Sequence, residues 1–145
     1  NIKVMKYEAF KVFDLEKISS NFINFPKLPK KYNLRRGIYM WIYKNIVIKV
    51  GLFGEGTQSG ASGRYSSYRT TNKHLSKYIK GINKTNGSVR PILTLLENLS
   101  IGDKVEVIFK EAPDNMHHNG YPYKVDLAQM EAEHKEQHKE TLWLK

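Results

Sequence analysis

A chain of 145 residues with 40% hydrophobic and 12% aromatic content can close one globular core, which excludes a disordered polyelectrolyte. It contains no cysteine, which excludes a disulfide framework, a thiolate zinc site and a cysteine nucleophile. The net charge of +10, from 24 Lys and Arg against 14 Asp and Glu, points to a polyanionic partner. Because the charge is spread along the chain and forms no strongly amphipathic basic helix, nucleic acid is favoured over an acidic membrane surface.

Residues 1–13 alternate weakly through Ile2, Val4, Met5, Phe10, Val12 and Phe13, which predicts a strand or an irregular arm. Residues 21–33 carry Pro26 and Pro29 and predict an extended connector. Two apolar runs at 37–43 and 46–50, separated by Lys44-Asn45, predict a β-hairpin. Five glycines between Gly51 and Gly63 predict a flexible loop. Beyond it, Leu75, Tyr78, Ile79 and Ile82 recur at helical spacing. A second helix is expected over 89–99, with Pro91 in its first turn and Gly102 beyond its end. Val105, Val107 and Phe109 alternate as on a strand. Residues 113–122, rich in Asn, Gly, His and Pro, predict a loop, and a final helix is expected from Asp126 to about Glu140. No stretch reaches the roughly 20 apolar residues of a membrane span, and no signal-peptide core opens the chain, so a soluble cytoplasmic protein is expected. The mixed order of strands and helices predicts an α+β fold: a small antiparallel sheet flanked by helices. One domain is expected over 1–145, with 1–33 as an N-terminal arm and 34–145 as the core.

Several residues stand out on chemical grounds. Lys49 interrupts an apolar run; it is either a solvated residue on an edge strand, which discourages aggregation, or a functional cation. Arg64 follows the glycine-rich loop at a helix start, and guanidinium binds two phosphate oxygens without losing its charge. At about 100° per residue, Leu127, Met130, Glu131, His134, His138 and Thr141 share one stripe of the last helix, and Glu133, Glu136 and Glu140 lie opposite. A carboxylate on the core-facing stripe is costly unless it is paired or metal-bound, which singles out Glu131. Asp126 with Gln129 three residues on reads as the helix N-cap. His134 and His138 are spaced to chelate, yet with no cysteine and no evident third ligand zinc is disfavoured; packing or contact with a site is the better reading of His134. The segment from Gly51 to Gly63 lacks the Gly-Lys-Ser/Thr ending of a nucleotide-binding loop.

Gly37-Ile38-Tyr39, then Lys49-Val50-Gly51, then Arg64 in "GRYSSYR", then Glu131 in "MEAEHKEQHKETLW" together resemble the GIY-YIG nuclease superfamily in order, spacing and structural context. Lysine replaces the tyrosine of the second motif, as in restriction enzymes that carry this module. The loop before Arg64 is longer than in compact family members, and the asparagine usual after the last helix is absent. The resemblance implies a divalent-metal DNA endonuclease with Tyr39, Lys49, Arg64 and Glu131 as catalytic residues. Mg²⁺ or Mn²⁺ would sit on Glu131, with much of its shell left to water and phosphate. A free tyrosine, with pKa ~10, is a poor base at neutral pH; a neighbouring ammonium favours phenolate, which gives Lys49 a purpose beside Tyr39. Tyr65 is preferred over Tyr68 for a further site role. Arg35, Arg36, Arg69 and Lys73, with the N-terminal arm over 1–33, are the contacts to double-stranded DNA that the resemblance implies. Restriction-type cutting of both strands implies a homodimer or homotetramer. A phage or mobile-element nuclease of loose specificity, or a non-catalytic nucleic-acid-binding protein on this scaffold, is the alternative.

Overall fold

The computed structural model describes residues 9–54, 60–77 and 87–144. Tyr78, Ile79 and Ile82 of the expected helix, the first eight residues of the expected arm and part of the glycine-rich loop lie outside them. Seven strands are formed: β1 (Ala9–Ser19), β2 (Phe22–Asn24), β3 (Gly37–Tyr43), β4 (Ile46–Phe53), β5 (Lys104–Glu111), β6 (Asn115–His118) and β7 (Tyr121–Lys124). The helices are α1 (Gly60–Lys73), the single turn α2 (Leu75–Lys77), α3 (Val89–Asn98) and α4 (Leu127–Gln137). The fold is α+β. Five strands make one sheet in the order β2-β1-β5-β3-β4, antiparallel at every pairing, while β6 and β7 form a separate two-stranded ribbon. No described helix is long and apolar enough to cross a membrane.

The predicted hairpin forms because Lys44 and Asn45 both take positive φ, 49° and 67°, the two-residue turn whose twist matches that of paired strands. Its second strand runs three residues beyond the predicted end, to Phe53. Residues 9–24, expected in an arm outside the core, instead supply two of the five strands. β1 pairs with β5 from Ala9 to Glu16 and buries Leu15 completely. The outer edge of β2 is closed by Asn72, whose side-chain oxygen accepts from Ile23 N–H at 3.3 Å and whose amide donates to the Ile23 carbonyl. The expected loop at 113–122 contains β6, a tight turn and the start of β7.

Alternation along the strands sorts side chains into two cores. Tyr39, Trp41, Val107, Phe109 and Leu15 pack with Tyr65, Tyr68, Ile92 and Leu95, from α1 and α3. Ile38, Met40 and Val50 pack with Leu127 and Met130 of α4 and with Leu142. The second core bears out the predicted phase of α4, whose Glu133 and Glu136 are exposed; the helix ends at Gln137, short of the expected Glu140, which is exposed in the turn beyond it. Asp126 is its N-cap, accepting from Gln129 N–H at 3.3 Å. The C-terminal residues lie along β4: Thr141 donates to the Val47 carbonyl at 2.6 Å and Trp143 N–H to the Ile48 carbonyl at 2.8 Å.

Candidate active site

β3 lies between β4 and β5 and carries Tyr39 opposite Gly51, and Trp41 opposite Lys49. A Cβ at Gly51 would overlap the Tyr39 ring, so the glycine that ends the second motif makes room for the tyrosine of the first. Between Trp41 and Ile42 the β4 register shifts: Trp41 pairs with Lys49, but Ile42 pairs with Val47. The extra residue, Ile48, forms a bulge, which breaks alternation and re-aims neighbouring side chains. Ile48 thereby enters the core with Trp41, and Lys49 places its Nζ 5.8 Å from both the Tyr39 and the Trp41 ring centroids. Lys49 is on an edge strand, as the simpler expectation holds, but its charge lies against the two aromatic rings.

The helix after the glycine-rich segment supplies the rest of the cluster. Arg64 and Tyr68, one turn apart on α1, face the same way. Arg64 Nη2 donates to the Tyr68 hydroxyl at 2.8 Å, and the Tyr68 and Tyr39 hydroxyls share a hydrogen bond of 2.6 Å. Tyr68 also packs edge-on against Trp41, with ring centroids 5.0 Å apart. The Arg64 guanidinium lies 4.7 Å from the Tyr68 ring centroid and 6.0 Å from that of Tyr39, so Tyr39 has a cation from β4 and another from α1.

Tyr39 is only 2% exposed. Burial, with Tyr39 adding to it, pushes the Tyr68 hydroxyl well above the ordinary tyrosine range against the pull of Arg64, so Tyr68 keeps its proton at neutral pH and can donate it. Burial opposes the Arg64 charge, but Tyr39 and Tyr68 outweigh it and hold the guanidinium more firmly protonated than usual. Arg64 Nε is buried without a hydrogen-bond partner among the described residues. A buried donor in that state is costly unless an oxygen reaches it. A cavity of about 10 Å³, lined by Tyr39, Trp41, Arg64, Tyr65, Tyr68, Val107 and Phe109, adjoins this cluster; it is the size of one water.

The other sequence candidates are placed differently. Tyr65, expected to take the site role, donates its hydroxyl to the Pro26 carbonyl and packs edge-on against Phe13; burial pushes its pKa up. Tyr68 is the tyrosine joined to the site, and its i+4 spacing from Arg64 was the available signal. Glu131 lies on α4, which covers the Ile38 and Met40 face and contacts chiefly β4. Its side chain is 24% exposed and faces Lys135 Nζ at 3.6 Å; no hydrogen bond or ion pair joins it to Tyr39 or Arg64 among the described residues. No group of three His, Asp or Glu gathers among them either. A single half-buried carboxylate does fit Mg²⁺, which commonly uses one or two carboxylates and fills its shell with water and phosphate oxygens. His134 is buried, with Nδ1 2.8 Å from the Met130 carbonyl, and burial lowers its pKa from 6.5; it packs within α4 and its core.

The expected DNA contacts divide. Arg36 is a correction: it is 5% exposed and donates to the carbonyls of Pro113 at 2.9 Å and Val125 at 3.1 Å, so it staples the chain internally. Arg35 is exposed and ion-paired to Asp114. Arg69 is tied through Nε to the Phe25 carbonyl at 3.1 Å, and Lys73 is exposed at the end of α1. Lys17 had no visible signal: it is 5% exposed and its ammonium donates to the Leu96 carbonyl at 2.7 Å and to that of Leu99, capping the end of α3 where carbonyls lack helical partners.

No protein-family model matches the chain, and no curated protein matches it. Among solved structures it is similar to a mutant of bacteriophage T4 EndoII, at a TM-score of 0.58 and 20% identity over 94% of this chain and 92% of that one. It is also similar to the restriction endonuclease HPY188I in complex with product DNA, at a TM-score of 0.49 and 16% identity over 90% of this chain and 76% of that one. The likeness is one of fold.

Proposed function

We propose that this protein is a divalent-metal-dependent DNA endonuclease of the GIY-YIG type. The observation that carries this reading is the hydrogen-bonded chain from half-buried Arg64 through Tyr68 to Tyr39, with Lys49 against the Tyr39 ring. The ordered motifs in the sequence support it, as does the EndoII-like fold. Tyr39, as phenolate, takes the proton from the attacking water; Tyr68 donates to the Tyr39 oxygen, and the Lys49 ammonium lies against the Tyr39 ring. Arg64 binds the scissile phosphate, with its Nε, which has no hydrogen-bond partner among the described residues, as a donor ready for an oxygen. The P–O bond to the leaving sugar oxygen breaks as the water oxygen bonds to phosphorus. Glu131 would hold Mg²⁺ or Mn²⁺, which supplies Lewis-acid stabilisation of charge on the phosphate and leaving oxygen. The +10 charge serves double-stranded DNA, and cutting both strands in the restriction manner requires two copies of the chain.

The test is incubation of supercoiled and linear DNA with Mg²⁺, Mn²⁺ or chelator, followed by sequencing of the ends. Metal-dependent internal cuts at a recurring sequence are expected. Cuts at random positions would remove the restriction-type reading, and intact DNA under every condition would remove the catalytic one.

A further inference from the structure

The β6–β7 ribbon takes no part in the chemistry above. Asn119 and Gly120 join its strands with positive φ at both positions, 51° and 80°, the tight turn that Asn-Gly favours. Met116 and Tyr123 are half-buried near the base, and every other residue from 115 to 124 is exposed. Tyr121, next to the turn, is 76% exposed. A lone two-stranded ribbon is marginal in water, but this one is held at its root. Val125 N–H donates to the Asp114 carbonyl at 2.9 Å, Arg35 ion-pairs with the Asp114 carboxylate, and Met116 packs against the α4 core.

The root also fixes where the ribbon starts. Arg35 and Arg36 immediately precede Gly37, which pairs with Phe53 on one side and Glu111 on the other. α1 begins at the same end, with Ala61 N–H donating to the Leu34 carbonyl at 2.8 Å, and Arg64 lies one turn farther along. The ribbon and the arginine of the candidate site therefore spring from one end of the sheet. Near the ribbon tip are His117, His118, Asn119 and Tyr121, with Lys124 at the root and no carboxylate between 115 and 124. Imidazole, carboxamide and phenol groups hydrogen-bond to base edges, the absence of acid suits a polyanion, and the major groove of duplex DNA, about 12 Å wide, admits a two-stranded ribbon.

We infer that the β6–β7 ribbon enters the DNA major groove and reads base edges through His117, His118, Asn119 and Tyr121. The inference rests on the DNA reading above but not on catalysis, so its test uses binding without metal. Duplexes randomised over a central segment are incubated with the full chain in chelator, and the bound fraction is sequenced. The same is done for His117→Ala/His118→Ala/Tyr121→Ala, which keeps the Asn119-Gly120 turn, and for Tyr121→Ala alone, whose side chain is too exposed to carry the fold. The wild-type chain should enrich a motif. The triple variant should lose preference at two or more base pairs and bind the enriched duplex roughly tenfold more weakly per lost position, with binding to unrelated duplex nearly unchanged. Tyr121→Ala should lose part of that preference. Replacing purines of the motif by 7-deazapurines, which lack the major-groove N7 acceptor, should weaken wild-type binding. An unchanged motif in both variants, no motif in the wild type, or indifference to 7-deazapurines overturns the inference. Failure to bind any duplex overturns it together with the DNA reading; sequence-selective binding without cleavage leaves it standing and removes only the nuclease.

Discussion

The two faces of the central sheet bury residues equally well and use burial differently. On the α4 face, Ile38, Met40, Val50, Leu127 and Met130 form an aliphatic layer with nothing to satisfy, and half-buried Glu131 of α4 is the one residue of the proposed machinery on that side. On the α1 face, the same strands bury Tyr39 and Trp41 with Tyr68, two cations lie against these rings, and Arg64 Nε has no hydrogen-bond partner among the described residues. Two arginines, one buried and one half-buried, sharpen the contrast. Arg36 gives its guanidinium to the Pro113 and Val125 carbonyls and closes the structure; Arg64 keeps a buried donor in reserve. Depth therefore does not mark the candidate site. Its mark is polarity that burial makes costly.

The contrast breaks most visibly through activity. Glu131→Ala should reduce cleavage to background while retaining DNA binding in a mobility-shift assay, because it removes a metal ligand and leaves the basic surface. Glu133→Ala, exposed and hydrogen-bonded to Gln129 at 3.2 Å, should keep most activity; reversed results would overturn the assignment of Glu131. Next, Arg64→Ala should slow single-turnover cleavage by roughly 10²- to 10³-fold, the scale of losing a charge-stabilising donor. Arg64→Lys should recover little, since an ammonium cannot reproduce the guanidinium fork.

Tyr39→Phe removes one oxygen and should cost about 10²-fold or more in rate, with a stability change of only about 1 kcal/mol in denaturant melts. Lys49→Met should also slow cleavage, and the double variant should be little worse than the slower single, because residues acting as a unit are non-additive. Independent losses would show that Lys49 does not act through Tyr39. On the aliphatic face, Met130→Ala should do the reverse: a loss of about 2–5 kcal/mol in stability with nearly unchanged rate per folded molecule.

The smallest effect is expected at His134. Burial lowers its pKa from 6.5, aided by Lys110 and His138 and opposed by the Met130 carbonyl and Glu133. A base whose folded pKa lies below its unfolded value leaves the unfolded chain holding more protons. Its contribution is therefore fully present above about pH 6.5 and is lost as pH falls below that value and through the lower folded pKa. His134→Leu should flatten this part of the melting-temperature profile and leave the alkaline side unchanged.

Features governed by near neighbours were legible in the sequence. Lys44-Asn45 marked a turn, Asp126 and Gln129 marked a cap, and the period of α4 set Glu131 apart from Glu133, because each depends on residues within one turn of chain. The Asn119-Gly120 turn was equally local, yet the polar residues around it read as loop. Arg64 and Tyr68 were one helical turn apart, but which hydroxyl they served depended on a strand some 30 residues upstream. That Lys49 would lie over Tyr39 and Trp41 depended on a bulge at Ile48, a matter of pairing register between strands. That Arg36 would be buried and residues 9–24 would join the sheet depended on contacts 77–89 residues away for Arg36 and on β5 for β1. Local backbone preference and helix period act within a few residues, and sequence alone determined those. Register, burial and the partners of buried polar groups come from distant segments meeting, and only the tertiary structure decided them.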